Sequence, residues 1–138
     1  MSVIVDASFA GAWLLRDETS PDANLILARI LRGEESLIVP AIWFYEMTNL
    51  LIMAARRGRI SQKDITVGLD LLNAIPIQAH EHRGKLTLER TARFADRFNL
   101  SAYDAAYIEL ADRLQMSLYS FDGKMRQAAM DLDLNGTE

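Results

Sequence analysis

Val3-Ile4-Val5-Asp6 is the stretch from which the fold can be read. Three β-branched residues run into a carboxylate, and Ser8 follows two positions on. A short run that is apolar on both faces reads as a strand buried in a parallel sheet. Asp6 then stands where that strand ends, and in open α/β sheets the ligand crevice lies outside the carboxyl ends of the strands. Asp6 is therefore read as one corner of an acidic metal site.

Outward from this strand, helical and strand patterns alternate. A short helix carrying Phe9, Ala12, Trp13 and Leu14 is expected after Asp6, then a second with Leu25, Ile26, Arg29 and Ile30, capped by Ser20 with Pro21 or by Asp22. Ser36-Leu37-Ile38-Val39-Pro40 reads as the second strand. A helix over 41–57 follows, apolar nearly all round, so mostly buried or facing a partner. Ser61-Gln62-Lys63-Asp64 opens the next helix as a capping box. A third strand is expected over 74–78, a mixed-charge helix over 84–98 and a helix capped by Ser101 up to Leu114. A fourth strand over 117–120 and a helix over 124–130 complete the pattern, with an acidic tail in which Leu132 and Leu134 add a short edge strand. The alternation argues an α/β domain with a central, mainly parallel sheet of four or five strands.

The 138 residues suit one domain, 1–138. Nineteen acidic against 15 basic residues give a net charge of −4, which argues against coating nucleic acid by charge alone. The chain has no cysteine, so thiolate chemistry and disulfides are excluded. Any metal must be held by carboxylates, imidazoles or carbonyls, and carboxylates favour hard ions such as Mg²⁺ or Mn²⁺. No signal peptide or membrane-length apolar run is visible, so a cytoplasmic protein is expected.

Asp6, Glu46, Asp104 and Asp122 form the candidate site. Each has a plain structural explanation. Asp6 and Asp122 make good N-caps, and Asp104 lies three residues after Ser101, as in a capping box. Glu46 stands on a helix, but Ile42 and Trp43 lie one turn before it and Leu50 and Met53 after it, an odd setting for a solvated acid. The joint pattern is more specific. Two acids follow predicted strands, and the other two sit near the starts of helices. All four can meet at one edge of the sheet, where a divalent cation would neutralise them.

Val5-Asp6-Ala7-Ser8, Pro40-Ala41 leading to Glu46, Leu100-Ser101-Ala102-Tyr103-Asp104-Ala105-Ala106-Tyr107 and Ser120-Phe121-Asp122 together resemble PIN-domain ribonucleases, most of all VapC-type toxins of bacterial or archaeal toxin–antitoxin pairs. The likeness covers nearly the whole chain, in order. It implies a PIN-like three-layer α/β/α domain and Mg²⁺-dependent endoribonuclease activity. It also implies a homodimer, and a cognate antitoxin that binds and inhibits the toxin. Asp6, Glu46, Asp104 and Asp122 match the family's acidic positions, and Ser8 and Ser120 its supporting hydroxyls. If water is the nucleophile, RNA products should carry 5′-phosphate and 3′-hydroxyl ends.

RNA approaching an acidic pocket needs bordering cations. Candidates are Arg56, Arg57, Arg59, Arg83, Lys85, Lys124 and Arg126, with Lys124 and Arg126 favoured by their nearness to Asp122. His80 and His82 flank Glu81 in what reads as an exposed polar loop. Trp43, Phe44, Tyr45 and Met47 are core or an antitoxin groove.

Rival α/β phosphoryl-transfer folds lack their marks. Ser8 stands where a haloacid-dehalogenase-type phosphatase wants a second Asp, and Ile77-Gln78 where a receiver domain wants one. Residues 7–12 hold only Gly11 where a dinucleotide fold wants a glycine-rich turn. The rival of another class is a catalytically silent PIN-like module that uses its acidic cluster for partner recognition.

Overall fold

The computed structural model describes residues 1–136. Its centre is a four-stranded parallel sheet in the order β3-β2-β1-β4, with β1 at Ser2–Val5, β2 at Ser36–Pro40, β3 at Ile77–His80 and β4 at Ser117–Tyr119. Helices flank the sheet to give a three-layer α/β/α fold: α1 (Ala7–Leu14), α2 (Pro21–Leu31), α3 (Trp43–Arg56), α4 (Gln62–Ala74), α5 (Lys85–Phe98), α6 (Ala102–Leu114) and α7 (Gly123–Asp131). Among the described residues no helix is long and apolar enough to cross a membrane.

β1 lies between β2 and β4, pairing Ile4 with Ile38 on one side and with Leu118 on the other. Ile4 and Val5 are wholly buried, as the β-branched run requires. Because both neighbours are parallel to β1, the residues after β1 and β4 emerge at the same sheet edge. Asp6 is thereby brought beside the 120–122 turn, and its backbone N–H bonds Tyr119 O at 3.1 Å.

Local signals decide most helix starts. Ser20, not Asp22, caps α2, accepting from Ala23 N at 3.4 Å with Pro21 in the first turn. Ser61 and Asp64 form the reciprocal capping box that opens α4. In α3, Trp43, Met47, Leu51 and Ala54 make the buried stripe. The aromatic cluster therefore divides: Trp43 and Met47 enter the core, while Phe44 and Tyr45 are exposed.

Two expectations need correction. The third strand is Ile77–His80, not 74–78. α4 runs on to Ala74, and Ile75 N still bonds Leu71 O at 3.2 Å. Pro76 has no N–H to give, so pairing begins at Ile77 opposite Leu37. The C-terminal edge strand is reduced to one parallel bridge between Leu118 and Asn135, beyond Leu132 and Leu134. Leu132 caps α7, and Leu134 N turns back to Ala129 O at 2.7 Å, so only the Leu134 carbonyl, which accepts Leu118 N at 2.8 Å, and Gly136 N, which donates to Leu118 O at 3.3 Å, pair with β4. Gly136 then passes over Tyr119, where a Cβ would collide with the ring. Positions 137–138 of the predicted tail lie outside the described residues.

Candidate active site

Asp6 is the most constrained of the four acids. It caps α1, its Oδ1 accepting Phe9 N at 3.0 Å and Ser8 Oγ at 2.7 Å. Its Oδ2 accepts the hydroxyl of Ser120 from the end of β4. Ser8 and Ser120 lie 3.2 Å apart and also receive the 120–122 backbone: Phe121 N donates to Ser8 Oγ and Asp122 N to Ser120 Oγ, both at 3.0 Å. The two serines thus tie the turn that carries Asp122 to the carboxylate of Asp6. Asp122 caps α7, accepting from Met125 N at 3.0 Å.

Glu46 lies in the first turn of α3, half-buried, and accepts the phenolic hydrogen of Tyr107. Asp104 lies in the first turn of α6. Ser101 Oγ accepts its backbone N–H at 3.1 Å, but the reciprocal carboxylate-to-backbone bond of a full capping box is not made.

The four acids feel one another. Burial pushes the Asp6 carboxyl above its ordinary range against the pull of Ser120, Ser8 and Phe9 N–H, and the charge of Asp104 adds to the rise. Burial likewise raises Glu46, opposed by the Tyr107 hydrogen bond and reinforced by Asp104 and Asp6. Asp104 is raised by burial and then by Asp122. Asp104 is thus the hub, coupled to each of the other three. Among the described residues no three His, Asp or Glu side chains stand close enough to hold a metal ion as they are arranged. The oxygen-only donor set and the mutual repulsion nonetheless suit a hard divalent cation. Mg²⁺ usually keeps several waters and takes only one or two carboxylates directly.

Of the seven candidate bordering cations, two stand beside this edge. Lys124 Nζ contacts Asn99 O at 3.4 Å. Arg126 lines a cavity of about 360 Å³ with Phe9, Ser120, Phe121 and Met130. The others are placed differently. Arg59 is held by Asp17 and Glu18 at 2.7 and 2.6 Å, Arg83 by Glu81 at 3.1 Å, and Lys85 by Glu89 at 3.7 Å. Arg56 and Arg57 end α3, about 15 Å along the helix axis from Glu46.

His82 is not part of an exposed connection. Its side chain is mostly buried, with Nε2 at 2.8 Å from Ala106 O and 3.2 Å from Glu109 Oε1. Glu109, wholly buried on α6, also meets Arg113 at 3.0 Å and Arg90 at 3.3 Å, and Arg90 reaches Asp112 at 2.6 Å. This network locks α5 to α6 and so supports the helix that carries Asp104 and Tyr107. Sequence reasoning missed both Glu109 and the role of Tyr107. One available signal was the pairing of Glu109 with Arg113 at i,i+4.

Residues 3–130 match the PIN domain. The chain belongs to the PIN-domain family. It is 33% identical over 120 residues to ribonuclease VapC9 of Mycobacterium tuberculosis, an alignment spanning 87% of this chain and 85% of that one. In structure it is similar to PAE2754 from Pyrobaculum aerophilum, with a TM-score of 0.66, 23% identity, and coverage of 93% of this chain and 79% of that one. It is also similar to VapC20 of Mycobacterium tuberculosis, described as a sarcin–ricin loop cleaving toxin, with a TM-score of 0.61, 16% identity, and coverage of 91% and 94%. The family membership accords with the order in which the four acids and two serines occur along this chain.

Proposed function

We propose that this PIN-domain protein is a metal-dependent endoribonuclease and the toxin of a type II toxin–antitoxin pair. The observation that carries the reading is the hydrogen-bond network of Ser8 and Ser120, which ties the Asp6 carboxylate to the turn that bears Asp122. The ribonuclease names of its relatives supply the substrate class.

Asp6 and Asp104 would hold the ion, with Glu46 and Asp122 directly or through water. Mg²⁺ or Mn²⁺, when bound, supplies the charge that activates water and stabilises the phosphate and the leaving 3′-oxygen. Ser8 and Ser120 fix the Asp6 carboxylate in rotation, each bonding a different oxygen. Tyr107 does the same for Glu46 from the neighbouring helix. Such outer hydrogen bonds orient ligands and tune their basicity. Lys124 and Arg126 flank the acidic edge and offset its repulsion of the RNA backbone.

The antitoxin and a second copy of the chain need apolar surface. Phe44 and Tyr45 on α3, and Val67 and Leu69 on α4, are exposed and suit such contacts. The cytoplasm, where RNA and a co-expressed antitoxin meet, is the proposed compartment.

The decisive experiment incubates purified protein with total RNA, with Mg²⁺ or with EDTA, and sequences the new ends. Cleavage is expected with Mg²⁺ only, leaving 5′-phosphates, and Asp104→Asn should abolish it while the protein stays folded. Full activity in Asp104→Asn would remove the site, and 2′,3′-cyclic phosphate ends would remove water as nucleophile. Metal binding without cleavage would favour the silent binding module.

A further inference from the structure

α5 carries a feature that the acidic site does not use. Arg90, Arg93, Phe94 and Arg97 surround a depression of about 250 Å³ beside the contact of α5 with α6. Arg90 lies over the Phe94 ring at 5.6 Å, and Arg97 over Phe98 at 4.7 Å, while the two phenylalanines stack at 6.1 Å. Arg90 is neutralised by Asp112 and Glu109. Arg93 and Arg97 are exposed, and among the described residues neither has an ion-pair partner, Asp96 included. The hollow thus has an aromatic floor and two uncompensated guanidinium groups on its rim.

Its position gives it a direction. Arg97 is in the last turn of α5, and the chain then passes through Asn99 to Ser101, which caps the helix bearing Asp104. Lys124, two residues past Asp122, reaches the carbonyl of Asn99. Arg93 and Arg97 on α5 and Lys124 beside Asn99 thus lie in succession along the chain and turns that lead to Asp104 and Asp122, in a protein whose net charge is −4. A local basic strip on an acidic protein is the footprint of a specific polyanion path.

We propose that this face of α5 binds single-stranded RNA on its way to the acidic edge, Arg93 and Arg97 taking phosphates and the Phe94 hollow taking an unpaired base. The proposal rests on the ribonuclease reading and deepens it. Charge alone would suit an acidic peptide too. The aromatic floor under planar guanidinium groups favours RNA, whose splayed bases stack on both.

The test measures binding of a short, unstructured, fluorescently labelled RNA in EDTA, where metal-dependent cleavage is silent. Arg93→Gln/Arg97→Gln is compared with Arg16→Gln/Lys63→Gln, which removes the same charge elsewhere. The α5 pair should weaken binding about tenfold at low salt and flatten the slope of log K against log salt by ~1.4, two single-strand contacts' worth. The control pair should stay near wild type. Equal binding by the α5 variant and wild type, equal loss in both variants, or preference of this face for a polyglutamate peptide over RNA each overturns the proposal. Mg²⁺-dependent cleavage by the same wild-type preparation separates the two readings. If it cuts RNA and the α5 variant binds normally, only the α5 path falls. If it neither cuts nor binds RNA, the ribonuclease reading falls first.

Discussion

Tyr107 on α6 donates its phenolic hydrogen to Oε1 of Glu46 on α3, joining two helices that no short loop connects. The bond holds Glu46 down against the rise that burial imposes. In Tyr107→Phe the Glu46 carboxyl is expected to titrate higher, so the acid limb of the pH–rate profile moves to higher pH. Activity at neutral pH should fall about tenfold, as for other lost ligand-orienting bonds. A pH profile of RNA cleavage checks this, and an unmoved acid limb would show that Tyr107 only fills space.

Ser120 holds three partners together: the Asp6 carboxylate, the Ser8 hydroxyl and the Asp122 backbone. Ser120→Ala should cost about 1.5–3 kcal/mol, the range for a hydrogen bond to a charged group. The Mg²⁺ concentration for half-maximal cleavage should also rise. Urea denaturation and a Mg²⁺ titration measure the two effects separately.

Asp104→Asn should be inactive, yet more stable than wild type at neutral pH without divalent ions. Burial and Asp122 raise the Asp104 carboxyl in the folded state, so the native protein binds that proton more readily than the unfolded chain. Stability from this group is full below the unfolded value of about 3.9 and falls as pH rises through the higher native value. The advantage of the Asn variant should therefore appear above about pH 4 and vanish below it. Adding Mg²⁺ should restore the wild type preferentially, read as a rise in melting temperature.

Glu109→Ala removes the acid shared by Arg113, Arg90 and His82. Breaking a buried ion pair is strongly destabilising, and the arginines here reach solvent, so the low end, about 3 kcal/mol, is expected. Urea denaturation of the variant measures it.

His82 titrates with the opposite sense. Burial lowers its pKa, outweighing the pull of Glu109. The folded protein therefore resists protonating it. Stability from this group is full above the unfolded value of about 6.5 and is lost as pH falls through the native value. His82→Gln should flatten the loss of melting temperature between about pH 8 and 5 relative to wild type.

The central strand and the candidate site were legible for different reasons. Val3, Ile4 and Val5 announced burial on both faces, and Asp6 followed at once, so strand and acid could be read from adjacent letters. The other acids were legible because each opens or nearly opens a helix. What was not legible depended on distant partners. Glu109 looks like any acid on a helix, and its burial goes with Arg90 on another helix, His82 and Arg113 reaching it together. His82 was misread because nothing local shows that α6 covers it. At 74–78 the apolar residues suggested a strand, but the carbonyl of Leu71 kept the helix going, and Pro76 displaced the pairing.

Asp6 and Ser120 are 114 positions apart and meet in one hydrogen bond. Contacts of such separation close late, after the entropy of the intervening chain has been lost. Chemical competence and completion of the sheet are then a single event. On the proposed ribonuclease reading, a half-folded copy lacks the site, and RNA is cut only by a chain whose folding has finished.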